Sequence, residues 1–501
     1  MSENPEAILD PEGLAALRGI LADFTTEAVH EVLGPIGRAA QERADVGGAL
    51  RHLPHGDPQA TLVRLFLLGV AVPRAEAELA LGGLPDAALA TLLHVEDDAV
   101  RATVELRPYA EADGAQWWVV SDFGSDVRPG PLADDHVLGI GGASLTLAQA
   151  TIRRPVGRAL DIGTGCGVQA LHLSQHAGTV VGTDISRRAL RLAATTAALS
   201  GVSWELRQGS LLDPVAGEQF ELVVANPPFV VSPGLVAGDG GHDYRDSGLA
   251  GDEVCRALLT GIPDLLAPGG SASLLANWII PDDGDWADRV GGWLAGRGCD
   301  AWVWQREVME PGEYVSLWLR DSGESPGTVR WAQRYASWVD WFEANRIPAV
   351  GMGLVTLWRS EAAELIVCEE VPQPVEQPAG AHLPQWLARQ RWLAGTGDAE
   401  LLDAALRTAP DLILARYDLH DEAGWSTART ELRLSHGMRW EVESDESIAA
   451  LVGACTGAVP LRLPVQLLAA GLDLPVPDVA EAVLPVVRDL VSRGILEPAD
   501  A

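Results

Sequence analysis

Three short stretches carry residue types that could do chemistry. The first, Asp161-Ile162-Gly163-Thr164-Gly165-Cys166-Gly167, has the pattern D-x-G-x-G-x-G. Glycines at that spacing let a chain turn sharply and bring its backbone close to a bound molecule at the end of a strand. A dinucleotide fingerprint needs a third glycine where Val168 stands, and Asp161 would repel a pyrophosphate but suit a cationic ligand. The second is Asp184, closing the apolar run TVVGTD, where a carboxylate typically accepts hydrogen bonds from both hydroxyls of a ribose. The third is Asn226-Pro227-Pro228-Phe229, which ends FELVVA. Proline cannot donate to a sheet ladder and pushes its predecessor toward an extended backbone. The strand therefore ends at about Ala225, with an amide and an aromatic ring held stiffly beyond it. Singly these could be a glycine turn, a helix cap for SRRALRLAA and a proline turn. Together they are hard to obtain by accident.

The elements that would position them alternate. RALDIGTG, TVVGTDIS, FELVVANPP and SASLLANWII read as short buried strands separated by helices such as VQALHLSQHAG. That alternation predicts a parallel α/β sheet. CDAWVWQREV is a further strand, EYVSLWLR and RWAQRYASWVDWFEAN are amphipathic helices, and AVGMGLVTLWR closes the sheet. On those helices Trp331, Trp338 and Trp341 read as core, and His136 and Trp117-Trp118 as structural. Residues 8–92 read as helices, with Thr25 or Thr26 capping TEAVHEVLG. AVRATVELRPY, a turn at Ala112-Asp113-Gly114 and QWWVVSDF then predict a hairpin. Beyond the proline-rich linker VPQPVEQPAG, a hairpin about His436-Gly437 and three helices follow. Both flanks predict small α+β, winged-helix-like domains, giving boundaries at 1–130, 131–365 and 366–501.

Composition bounds the rest. Net charge is −34, and all 36 basic residues are arginine. The absence of lysine removes Schiff-base chemistry and a P-loop lysine. No basic footprint for a nucleic acid is visible along the chain. Cys166, Cys255, Cys299, Cys368 and Cys455 lie far apart, which predicts neither a disulfide framework nor a metal site. No apolar run reaches the roughly 18 residues of a membrane helix, and the acidic start MSENPEAILDPEG is unlike a signal peptide. A soluble cytoplasmic protein without a membrane partner is expected.

Asp161–Gly167, Asp184 and Asn226–Phe229, each at the end of a successive strand, resemble class I S-adenosylmethionine-dependent methyltransferases. The Asn-Pro-Pro-Phe tip is similar to the branch that methylates planar nitrogens. That branch includes the HemK/PrmC glutamine methyltransferases, the RsmC/RlmG-type guanine methyltransferases (the "methyltransferase small" domain) and the adenine-N6 enzymes. The resemblance covers residues 136–280 closely and 281–359 by topology, and neither flank. It implies a Rossmann-like, seven-stranded sheet and S-adenosylmethionine as cofactor. It also implies a cofactor site of Thr146, Asp161, Gly163, Thr164, Gly165, Cys166, Gly167, Asp184, Ile185, Ser210, Leu211 and Asn226. The family's loop closing over the methionine end maps onto Gly141–Thr146. Ser210 stands where an aspartate often contacts the adenine amine. Cys166 is most simply a small residue packed in the turn.

An amide or exocyclic amine is a poor nucleophile because its lone pair is delocalised. The Asn226 side-chain oxygen and the Pro227 carbonyl can each accept one N–H of an –NH₂ group, and Phe229 offers a face for a planar group. Asn226, Pro227, Pro228 and Phe229 are thus the expected catalytic residues, with Phe229, Tyr244 and Arg245 on the acceptor. Two macromolecular acceptors compete: an RNA base amine, suggested by the phenylalanine of the tip and the winged-helix-like flanks, and a protein glutamine amide, suggested by the acidic charge; the sequence does not decide between them. A non-catalytic cofactor-binding scaffold and a nicotinamide-dependent oxidoreductase are the rivals. The flanking domains are expected to choose the substrate and to leave cofactor binding to the core.

Overall fold

Aliphatic and β-branched runs, cut by glycine and proline, build one large sheet. The computed structural model describes residues 4–499 apart from 111–113, 129, 131, 235–247 and 423. The chain divides into two compact units, Met1–Ala148 with Arg154–Glu370, and Gln149–Arg153 with Val371–Ala501.

The first unit holds the sheet. Its strands are β1 (Val156–Ile162), β2 (Ala177–Asp184), β3 (Glu205–Gln208), β4 (Phe220–Ala225), β5 (Leu266–Ile280), β6 (Cys299–Met309), β7 (Ala349–Arg359) and β8 (Ile366–Glu370). They are ordered β8-β6-β7-β5-β4-β1-β2-β3. β3, β2, β1, β4 and β5 run parallel, whereas β7 is antiparallel to both its neighbours. This is the α/β, Rossmann-like architecture expected, with eight strands rather than seven. The addition is β8, parallel to β6 at the sheet edge and only half-buried. Its five residues, IVCEE, are too short and too mixed to stand out beside the proline-rich stretch they precede. Ala267–Gly270 form an irregularity within β5: Leu266 pairs with Phe220, and the ladder resumes at Ser271 opposite Leu222.

Helices flank the sheet, among them α1 (Gly142–Ala150), α2 (Val168–Leu173), α3 (Arg187–Ser200), α4 (Glu253–Leu265), α5 (Trp286–Leu294), α6 (Pro311–Asp321) and α7 (Val329–Ala344). β4 and β5 bury Phe220, Val223, Leu274 and Trp278 with Leu258, Leu259 and Ile262 of α4 in one core.

The helices before residue 93 form as expected, Thr25 capping the second through the Ala28 amide at 3.1 Å. AVRATVELRPY does not make one strand. Ala99–Ala102 pairs with Leu93–Glu96, while Glu105–Ala110 pairs with Gln116–Ser121 in a separate hairpin. This segment is bonded directly to the sheet domain. Thr195, Thr196 and Ser200 on α3 accept from the amides of Ile8 (2.9 Å), Val120 (3.1 Å) and Trp118 (3.1 Å). Asn4 donates to the Trp204 carbonyl at 2.9 Å and accepts from the Leu206 amide at 2.7 Å, bonding to the edge strand β3.

In the second unit, four longer helices (Leu383–Gly395, Glu446–Ala454, Arg462–Leu472, Val476–Ser492) and two three-stranded sheets share a core around Leu406, Leu451, Val465, Val487 and Ile495. The hairpin about His436-Gly437 is present between Gly424–Leu434 and Glu441–Ser444. Sequence reasoning missed its neighbour Leu412–Asp421. Within the proline-rich stretch Val371, Val375 and Ala379 are buried. Among the described residues, no helix is long and apolar enough to cross a membrane, and no group of three metal-ligating side chains gathers.

Candidate functional site

β1 lies between β2 and β4, with Ile162 opposite Ala225, so three carboxyl ends stand side by side at the point where strand order reverses. Gly163, Gly165 and Gly167 take φ of 69°, 55° and 91°, the left-handed region that glycine enters without strain. At Gly167 a Cβ would sit 2.5 Å from the Trp204 ring, so the turn closes against that indole. At Gly165 a Cβ would meet nothing within 4 Å, and at Gly163 only the Asn226 carbonyl at 3.8 Å. The loop is therefore packed on one side and open on the other.

Asp184 ties this loop down. Its Oδ2 accepts from the Gly165 amide at 2.9 Å and its Oδ1 from the Ser186 amide at 2.8 Å. Its own carbonyl accepts from Gly209 at 3.0 Å, which brings the Ser210-Leu211 turn alongside. Leu211 has φ 47°, a backbone state that is an outlier for a bulky side chain and that local packing must enforce. Beside it Ser210 is exposed, and Ile185 is 58% exposed although apolar. Thr146 is exposed on α1, whose start is held by Gln169 of α2 donating to the Ser144 carbonyl at 2.7 Å.

Asp161 is fully buried at the base of the loop. Its Oδ2 accepts from the Thr164 hydroxyl at 2.6 Å, and among the described residues its buried Oδ1 has no partner at hydrogen-bond distance. Burial pushes this carboxyl up to about 7, the Thr164 bond opposing and the charge of Asp184 adding. Burial likewise pushes the Cys166 thiol up to about 12, which leaves it inert as a nucleophile and fits its reading as a packed residue.

At the tip, Asn226 and Phe229 are half-buried and Pro227 is buried. The support comes from α6 and α7, inserted between β6 and β7. The Val231 amide donates to the Tyr314 hydroxyl at 2.9 Å, and Asn277 Nδ2 donates to the same oxygen at 2.8 Å. Trp338 Nε1 donates to the Val231 carbonyl at 3.2 Å, and Trp318 meets the Phe229 ring edge-to-face at 5.8 Å. Of the three tryptophans assigned to core, Trp338 is buried, while Trp331 and Trp341 are half-buried. The brace from Tyr314 and Trp318 was missed; the aromatics spaced by three and four on two helices were its signal. Tyr244 and Arg245 lie outside the described residues. Just after them the Gly251 amide donates to the Ser232 carbonyl at 2.8 Å. A cavity of about 460 Å³ adjoins, lined by Gly251, Ile279, Asp282, Asp283, Trp341 and Arg346 among others.

Residues 139–236 match the methyltransferase small domain family, while 21–103 and 384–498 each match a domain of unknown function (DUF7059 and DUF7782). The release factor glutamine methyltransferase of Xylella fastidiosa is 32% identical over 216 residues, which cover 40% of this chain and 72% of that protein. The chain belongs to the class I S-adenosylmethionine-dependent methyltransferases. This methyltransferase is also 40% identical over 134 residues to the release factor glutamine methyltransferase of Moorella thermoacetica, covering 25% of this chain and 46% of that one. It is 31% identical over 125 residues to the ribosomal RNA small subunit methyltransferase C of Alcanivorax borkumensis, covering 25% of this chain and 34% of that one.

Proposed function

We propose that this methyltransferase transfers a methyl group to the side-chain amide nitrogen of a protein glutamine. The observation that carries the reading is the braced Asn226–Phe229 tip beside an open glycine loop. The residues fit S-adenosylmethionine: Asp184 for the ribose hydroxyls, exposed Ile185 and the Ser210-Leu211 turn for the adenine, and the orphaned Oδ1 of Asp161 for the ammonium. Bound there, the cofactor supplies an electrophilic methyl on a sulfonium. The chain supplies orientation. Asn226 Oδ1 and the Pro227 carbonyl accept the two N–H bonds of the acceptor, which favours the pyramidal nitrogen of the transition state. Pro227, Pro228 and the Tyr314 bond keep these acceptors from relaxing, and the uncovered part of Phe229 receives the planar amide. No side-chain base is required, because the product can lose its proton to water. A protein acceptor is favoured by the net charge of −34 and by the 72% coverage of a glutamine-directed relative.

Titration calorimetry tests the cofactor assignment. Asp184→Ala should weaken S-adenosylmethionine by about tenfold or more, about 1.4 kcal/mol. Tighter binding of NADH than of the methyl donor would overturn the assignment.

The buried Asp161 makes that binding pH-dependent. Its folded pKa, about 7, lies above the ordinary 3.8, so the stability linked to its protonated form is full below 3.8 and is lost as pH rises through 7. The ligand's ammonium group needs the ionised form of Asp161, so affinity for S-adenosylhomocysteine should fall as pH drops from 7 to 5.5. Asp161→Asn should flatten that slope. An unchanged slope in the variant would show that another group is responsible.

A further inference from the structure

A carboxylate from outside the sheet reaches the segment that leads into α1. Glu105 begins the first strand of the hairpin Glu105–Ala110/Gln116–Ser121 and is 6% exposed. Its Oε1 accepts from Arg107 Nε at 2.8 Å and its Oε2 from the Ser121 hydroxyl at 3.2 Å. Both groups press on Gly139, where a Cβ would lie 2.6 Å from Ser121 Oγ and 3.2 Å from Glu105 Oε2. At its other end the same segment is held by Gln169 of α2 through the Ser144 carbonyl. Between these anchors a Cβ at Gly141 or Gly142 would meet nothing within 4 Å. Glu105 also acts on the glycine loop itself: after burial, its charge and that of Asp161 help to raise the Cys166 thiol. Glu105 and Ser121 thus fix one end of the segment leading into α1, and Gln169 fixes the other.

We propose that Glu105 is a positioning residue which, through Gly139, sets the segment Gly139–Ser144 to enclose the amino-acid end of the cofactor. The proposal rests on the cofactor reading above and assigns a part of that site to the N-terminal hairpin. It predicts a loss confined to one end of the ligand, which a general loss of stability would not produce.

The test compares S-adenosylhomocysteine with 5′-methylthioadenosine, which keeps the adenosine and thioether but lacks the amino-acid end. Glu105→Ala should weaken the first by about tenfold and the second by less than about twofold, the scale of a displaced positioning contact. Glu105→Gln, whose carbonyl still accepts from Ser121, should fall between wild type and alanine. Ser121→Ala should move in the same direction by less, and with Glu105→Gln it decides the matter should Glu105→Ala fail to fold. Equal losses for both ligands, or no loss for either, overturn the proposal. A wild-type protein that binds neither ligand overturns the cofactor reading itself, and this proposal with it.

Discussion

Replacing Asn226 by alanine should lower the rate of methyl transfer by about a hundredfold or more, about 2.7 kcal/mol, the scale of one deleted transition-state hydrogen bond. Cofactor affinity should stay nearly unchanged, because the interaction is made as the nitrogen becomes pyramidal. The fold should tolerate the change. The β4 ladder is complete through Ala225, and the segment beyond is held by Tyr314 and Trp338 acting on Val231. Among the described residues the Asn226 side chain makes no hydrogen bond that its loss would orphan. Asn226→Asp keeps an acceptor and should retain more activity than alanine. Single-turnover rates with saturating cofactor, set beside calorimetric affinities, separate the two effects. Full activity of the alanine variant would make the tip structural and this mechanism wrong.

Deleting residues 1–130 should abolish cooperative unfolding and cofactor binding together. Sequence reasoning expects the sheet domain to bind cofactor alone, but the geometry points the other way. Without this segment Thr195 and Thr196, both buried on α3, lose the Ile8 and Val120 amides, and the edge strand β3 loses Asn4. Arg188, at the start of α3, also loses its ion pair with Asp122, and His172 on α2 loses the Tyr109 hydroxyl at 2.9 Å. The helices that shape the loop and the ribose end are thereby uncovered. Circular dichroism on heating and calorimetry on residues 131–501 check this. Wild-type affinity in that fragment would show that the N-terminal segment stands apart from the site.

What could be read in the chain was local. Asp161–Gly167, Asp184 and Asn226–Phe229 were legible because strand ends, left-handed glycines and prolines are set by neighbouring residues. The end of β4 at Ala225 and the Thr25 cap follow from the same short-range chemistry. Contacts between distant segments leave no such trace. Nothing near Glu105 says that it will meet Gly139, and nothing near Asn4 announces Leu206. The left-handed Leu211 was illegible for a related reason: a leucine is placed there by packing against the surrounding core, not by its own preference. β8 escaped because an edge strand of mixed composition has neither period nor flanking turn chemistry to mark it.

The central claim is transfer of a methyl group to a planar amide nitrogen of a protein, oriented by Asn226. Its most direct measurement is incorporation of tritiated methyl from S-adenosylmethionine into a cell lysate, by wild type and by Asn226→Ala in parallel. The label should appear in a fraction that protease destroys and nuclease spares, be recovered as N5-methylglutamine after enzymatic digestion, and fall by about a hundredfold in the variant. Label destroyed by nuclease would transfer the reading to a nucleic-acid base amine. Label recovered on an oxygen, or equal label from the alanine variant, would contradict the account.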